Sequence, residues 1–131
     1  MTVVDASVLA TALGDRGRQG TTMREALRSI QSGALPDIAD VETTSALRRQ
    51  WLHGALSTED FRRALDRLAE LPFQRHAAAP YLMRVFTLRD NLTPYDAVYV
   101  ALAEALDSPL MTADAKLANA PGIRCEVQLV G

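Results

Sequence analysis

The chain opens Thr2-Val3-Val4-Asp5-Ala6-Ser7-Val8-Leu9. Two β-branched residues, then a carboxylate, then an apolar run read as a short buried strand that turns directly into a helix. In open α/β sheets, ligands bind outside the carboxyl ends of the strands. Asp5 occupies such an end, and the hydroxyl of Ser7 follows two residues on. Aspartate and serine are also ordinary helix N-caps. On this stretch alone, Asp5 reads equally as a site carboxylate and as a cap.

The same alternation continues along the chain. A first helix is expected over residues 6–13, and 14–20 reads as a glycine-rich loop. Thr22 and Glu25 have capping-box spacing for a helix over 23–32, with Leu27 and Ile30 inward. Residues 34–36 read as a strand, with Asp37 capping a helix over 38–53. There Ile38, Val41, Glu42, Ser45 and Leu52 fall on neighbouring positions, which sets Glu42 on or beside an apolar stripe. Ser57 and Asp60 cap a helix over 58–71, and Phe61, Ala64, Leu65 and Leu68 make its inner face. A weak strand over 73–76 precedes a helix over 78–88 with Leu82, Val85 and Phe86 inward. Thr93 as N-cap and Pro94 at the first helical position open a helix to residue 106. A strand over 110–112, a helical turn over 113–117 and a strand over 123–130 complete the chain. Strands alternating with helices imply an α/β fold, with a central parallel sheet flanked by helices. At 131 residues, a single domain over 1–131 is expected.

Composition narrows the class. The 48% hydrophobic and 23% charged fractions are those of an ordinary globule. Cys125 is the single cysteine, which excludes an internal disulfide and fits a reducing compartment. No basic segment opens the chain and Asp5 interrupts the first apolar run, so no signal peptide is read and a cytoplasmic location is expected. The longest apolar run, 97–103, is far short of the ~20 residues of a membrane span. The formal net charge of −2 argues against a general basic coat for nucleic acid. A nucleic-acid enzyme with local basic patches and a bound metal stays open.

Four acids share one kind of location. Asp5 and Asp114 closely follow short apolar strands. Asp96 lies in the first turn of a helix and Glu42 in the second turn of another. In a parallel sheet these places gather at one edge. Two carboxylates ~4 Å apart repel by roughly 4 kcal/mol at an effective dielectric of ~20, so convergence needs protons or a hard cation. Carboxylate oxygens suit Mg²⁺ or Mn²⁺. His53 and His76 are isolated, so no zinc cluster competes. Metal-assisted phosphodiester hydrolysis is the chemistry this suggests. Taken singly, Asp96 and Asp114 also read as caps. Glu42 has the weakest alternative explanation, because an apolar stripe is a poor place for an unpaired carboxylate. The other acids, Asp40 and Glu104 among them, read as solvated or capping residues.

Val3-Val4-Asp5-Ala6-Ser7 resembles the opening of PIN domains, above all the VapC toxins of bacterial VapBC toxin–antitoxin pairs. Val41-Glu42-Thr43-Thr44-Ser45-Ala46-Leu47-Arg48-Arg49 resembles their second acidic motif, Thr93-Pro94-Tyr95-Asp96-Ala97-Val98-Tyr99 the third, and Leu110-Met111-Thr112-Ala113-Asp114 the fourth. The ordered set spans nearly the whole chain. The resemblance implies a three-layer PIN-like fold and a Mg²⁺- or Mn²⁺-dependent endoribonuclease. Asp5, Glu42, Asp96 and Asp114 match the acidic quartet, with Asp5 and Asp96 as direct ligands; Ser7 and Thr112 match assisting hydroxyls. It further implies in-line attack of an activated water on RNA, a homodimer, and a VapB-like antitoxin covering the site. Ser45 stands where the second motif often has asparagine, and Lys116 where a further acid is sometimes found.

Two other functions compete: a PIN-like interaction module without catalysis, and a metal-dependent 5′-nuclease acting on DNA. Arg16, Arg18, Arg48 and Arg49 are candidates for RNA phosphate contact. Tyr95 and Tyr99 are assigned to packing.

Overall fold

The computed structural model describes residues 1–131. Thr2–Val4 form β1, and all three residues are buried. β1 is the middle of a five-stranded sheet ordered β3-β2-β1-β4-β5, with every pairing parallel. The other strands are Gly33–Pro36 (β2), Gln74–His76 (β3), Leu110–Thr112 (β4) and Val127–Leu129 (β5). Val3 pairs with Ala34 on one side and Leu110 on the other. A strand with neighbours on both edges and helices over both faces has no polar side to present. That is why Val3, Val4, Ala34, Leu35 and Leu110 are all fully buried. The chain steps outward from β1 through β2 to β3, then returns past β1 to add β4 and β5. The direction therefore switches between β1 and β4, and a crevice at such a switch is where open α/β sheets place ligands.

Seven helices accompany the sheet: Ala6–Gly14 (α1), Arg18–Arg28 (α2), Ile38–Leu52 (α3), Thr58–Glu70 (α4), Leu82–Thr87 (α5), Pro94–Ala105 (α6) and Ala115–Ala118 (α7). α6 lies along β1, β2 and β4 and against α5; α1 packs against α2, α3 and α4. Residues 97–103 of α6 are buried on every side, as expected of a helix apolar all round.

Three expectations need correction. α2 begins at Arg18, so Thr22 and Glu25 are not a cap; the Thr22 hydroxyl bonds back to the Arg18 carbonyl inside the helix. The cause is tertiary. Gly20 lies so close to the end of α1 that a Cβ there would stand 1.8 Å from the Asp15 carbonyl oxygen. Arg24 then donates to the carbonyls of Ala12 and Asp15 at 3.0 and 2.8 Å, satisfying the frayed end of α1. On α3 the inner face is Ala39, Thr43 and Leu47, while Val41 and Leu52 are 73% and 55% exposed. On α5 only Val85 points inward; Leu82 and Phe86 are 57% and 54% exposed. A 3-10 turn over Ala79–Tyr81 precedes α5 and changes the phase of the face that a continuous helix would show.

Two acids read as solvated are instead structural. Arg75 grips both oxygens of Asp40 (3.2 and 3.1 Å) and donates to the carbonyls of Leu68, Leu71 and Phe73, closing the end of α4. Glu104 takes two bonds from Arg84 (2.7 and 3.0 Å) and one from the Arg124 amide (2.8 Å), tying α6 to α5 and the last loop. Burial pushes the Glu104 carboxyl up, but these donors outweigh it and hold it below the ordinary range.

Gly20→Ala is expected to lower stability by about 1–3 kcal/mol in urea unfolding, because backbone cannot yield as a side chain can. A depressed folded-state carboxyl stabilises above its unfolded pKa and loses that contribution as pH falls through its folded value. Glu104→Gln should therefore destabilise at neutral pH and shed less stability than the parent as pH drops below ~4.5, read as melting temperature against pH.

Candidate active site

Asp5 is the first residue beyond β1. Its amide still belongs to the sheet, donating to the Met111 carbonyl at 2.9 Å. Its carbonyl accepts from Val8 and so starts α1, but its side chain makes no cap bond. The carboxylate is only 6% exposed and turns toward β4. Its Oδ2 accepts the Ser7 hydroxyl at 2.7 Å and the Thr112 hydroxyl at 2.8 Å. Each hydroxyl in turn accepts a backbone amide from the turn after β4: Ala113 to Ser7 at 3.1 Å, Asp114 to Thr112 at 3.0 Å. One carboxylate oxygen and two hydroxyls thus join the two turns that flank the switch point. Asp5 thus stands at the N-cap position of α1, but its carboxylate makes no cap bond.

The other acids approach from three elements. Thr93 caps α6 by accepting the Asp96 amide at 3.2 Å, and this fixes Asp96 in the first turn, half-buried. Asp114 caps α7, accepting the Lys116 amide at 2.9 Å. Glu42 reaches in from the second turn of α3, where Oε1 accepts the Tyr99 hydroxyl at 2.8 Å.

Their electrostatics show that they share one region. Burial raises the Asp5 carboxyl, the two hydroxyls oppose it, and the charge of Asp114 adds to the rise. Burial raises Glu42 against the Tyr99 bond, and the charges of Asp5 and Asp96 push it further. Burial raises Asp96, with Asp5 and Asp114 adding. Asp5, Glu42 and Asp96 are thus each raised by the charge of at least one other of the four acids. No three of them close on a single chelated point as they stand. The donor set is carboxylate and hydroxyl oxygen throughout, without sulfur or imidazole. That set fits a hard divalent ion which keeps part of its water shell, as Mg²⁺ does when one or two carboxylates hold it.

The four arginines do not join this cluster. Arg16 follows the far end of α1 and pairs with Asp60 on α4, and Arg18 opens α2. The nine residues of α1 put its two ends about 12–14 Å apart. Arg48 and Arg49 are exposed on α3, roughly 9–10 Å along the axis from Glu42.

Tyr99, assigned to packing from the sequence, does pack in the core, and its hydroxyl also donates to Glu42. It is fully buried, and burial followed by the charge of Glu42 pushes its phenol far above the ordinary range. It is therefore a permanent donor. The available signal was its place three residues after Asp96, on the same helix face.

A parallel α/β sheet with a buried, hydroxyl-held carboxylate at its switch point is the class that fold and site define. A family model described as PIN domain matches residues 2–123. Ribonuclease VapC1 of Mycobacterium tuberculosis is 45% identical over 129 residues, 98% of this chain and 96% of that protein. Ribonuclease VapC9 of the same organism is 37% identical over 130 residues, 99% of this chain and 98% of that one. Among solved structures, VapC20 of M. tuberculosis, a sarcin-ricin loop cleaving toxin, has a TM-score of 0.75 at 13% identity, covering 95% of this chain and 97% of that one. VapBC2 from Rickettsia felis, bound to a promoter DNA fragment, has a TM-score of 0.72 at 13% identity, covering 99% and 98%. These structural likenesses concern the fold. The chain belongs to the PIN domain family, in its VapC branch.

Thr112→Val keeps the shape of the side chain but strands the Asp114 amide and halves the hydroxyl support of Asp5. An expected loss of about 1–3 kcal/mol is checked by chemical denaturation of the metal-free protein.

Proposed function

We propose that this protein is the toxin of a VapBC-type pair, an endoribonuclease that hydrolyses RNA phosphodiesters with the help of Mg²⁺, for which Mn²⁺ can substitute. The observation that carries the reading is the buried Asp5 carboxylate at the switch point, held by the Ser7 and Thr112 hydroxyls, whose charge also raises the Glu42 and Asp96 carboxyls. The ribonuclease names of relatives that span nearly the whole chain support it.

In this reading Asp5 and Asp96 would hold the ion directly, and Glu42 and Asp114 would complete the acidic wall. When bound, the ion lowers the pKa of a coordinated water and offsets charge on the phosphodiester. Ser7 and Thr112 occupy Oδ2 of Asp5 and so fix the plane of its carboxylate. Glu42, raised by burial and by the charges of Asp5 and Asp96, is suited to take a proton from the attacking water. Attack in line with the departing 3′ oxygen leaves 5′-phosphate and 3′-hydroxyl ends.

The partner in this reading is a VapB-like antitoxin whose terminal segment covers the acids; a toxin–antitoxin complex from Klebsiella pneumoniae shares the fold at a TM-score of 0.67. The toxin works as a homodimer in the cytoplasm. No helix is long and apolar enough to cross a membrane.

Asp5→Asn and Asp96→Asn should each reduce RNA cleavage by more than the ~10–100-fold typical of losing an outer partner of a metal ligand. Because the Asp96 carboxyl is raised in the folded state, its ionised form costs stability at neutral pH. Asp96→Asn should therefore melt no lower than the parent without metal. Full activity in either variant overturns the reading. A parent that binds no Mn²⁺ in calorimetry moves the protein to the non-catalytic interaction module, and preferential cleavage of DNA oligonucleotides moves it to the 5′-nuclease alternative.

A further inference from the structure

We infer that Tyr99 is a positioning residue for the reaction: its hydroxyl sets the carboxylate of Glu42, and so decides whether α3 contributes to the site at all. The inference rests on the nuclease reading above.

The Glu42 carboxylate has no donor on its own element. Ser7 and Thr112 hold the Asp5 carboxylate and the Lys116 amide holds that of Asp114, while Thr93 places Asp96 by accepting its backbone amide. Glu42 sits mid-turn on α3, on the flank of a face whose buried residues are only Ala39, Thr43 and Leu47. The hydrogen bond recorded for its carboxylate is the one at 2.8 Å from Tyr99, 57 residues away on α6. Tyr99 cannot drift, because α6 is buried on every side along residues 97–103. Three residues before it, the same helix carries Asp96. One rigid element thus supplies one acid of the site and the donor that aims another. A phenol suits the task better than a cation would. It orients the carboxylate without neutralising it, and leaves Oε2 without a protein donor.

The test compares the full-length parent, Tyr99→Phe, Glu42→Gln and the double variant, by Mn²⁺ calorimetry and by steady-state cleavage of an RNA oligonucleotide. Tyr99→Phe should weaken Mn²⁺ binding by roughly 10-fold and lower kcat with KM for RNA little changed, in the range for outer partners of metal ligands. Its near-UV circular dichroism and metal-free melting should match the parent. In the Glu42→Gln background, Tyr99→Phe should add nothing, since the partner it orients has lost its charge. Parent-like Mn²⁺ binding and kcat in Tyr99→Phe would overturn this inference and leave the nuclease reading standing. So would an equal loss in the Glu42→Gln background, or failure of Tyr99→Phe to fold, which would make the hydroxyl structural. A parent that neither binds Mn²⁺ nor cleaves RNA overturns the nuclease reading, and this inference falls with it.

Discussion

The rest of the site depends on one shared acceptor, Oδ2 of Asp5. A carboxylate this buried is costly to ionise unless it is hydrogen-bonded. Two hydroxyls supply the bonds, and each is itself held by an amide from the turn after β4. The arrangement satisfies every group in the ring while crossing the one gap in the sheet that no helix crossover bridges directly, between β1 and β4. It acts as a clasp between the turns after β1 and β4. If it loosens, the two turns that carry Asp5 and Asp114 lose their common reference.

Positive charge is distributed to leave the acids unneutralised. Arg24, Arg75 and Arg84 are all engaged, with the ends of α1 and α4 and with Glu104. Arg16, Arg62 and Arg63 pair along the exposed side of α4. None of the ion pairs in the structure involves Asp5, Glu42, Asp96 or Asp114. The four are held near one another by backbone, hydroxyl and phenol donors. Neutral donors lower the cost of the carboxylates without cancelling their field. The repulsion that remains is free energy the folded chain holds against its own stability, and a divalent ion is the simplest agent to release it.

Legibility in the sequence followed the range of the forces involved. β1, β4, the caps at Ser57 and Thr93, and the burial of residues 97–103 are local, and spacing was enough to place them. The acids could be placed at element starts one by one, because strand ends gather by topology. What escaped was set by contacts between distant segments. α2 starts where Gly20 meets Asp15, which no capping pattern encodes. The face of α5 was turned by a 3-10 turn that periodicity cannot see. Asp40 and Glu104 looked solvated because Arg75 and Arg84 lie 35 and 20 residues away. The arginines near the second motif were close to Glu42 in number but not in space, since six residues of helix carry a side chain well along the axis.

Four acids on four separate elements also give the site a particular thermodynamic character. A site on one helix survives as long as that helix does. The proposed site needs β1, α3, α6 and the β4–α7 turn all in place, so a local opening that displaces any one of them removes an acid from it. α3 turns Ala39, Thr43 and Leu47 inward and leaves Val41 and Leu52 exposed. The hydrogen bond from the Tyr99 phenol to Glu42 registers it to α6. Stability of the fold and integrity of the acidic crevice are the same property viewed from two sides. The charge that makes the crevice unfavourable in isolation is tolerated because α6, buried all round, is too well packed to give way.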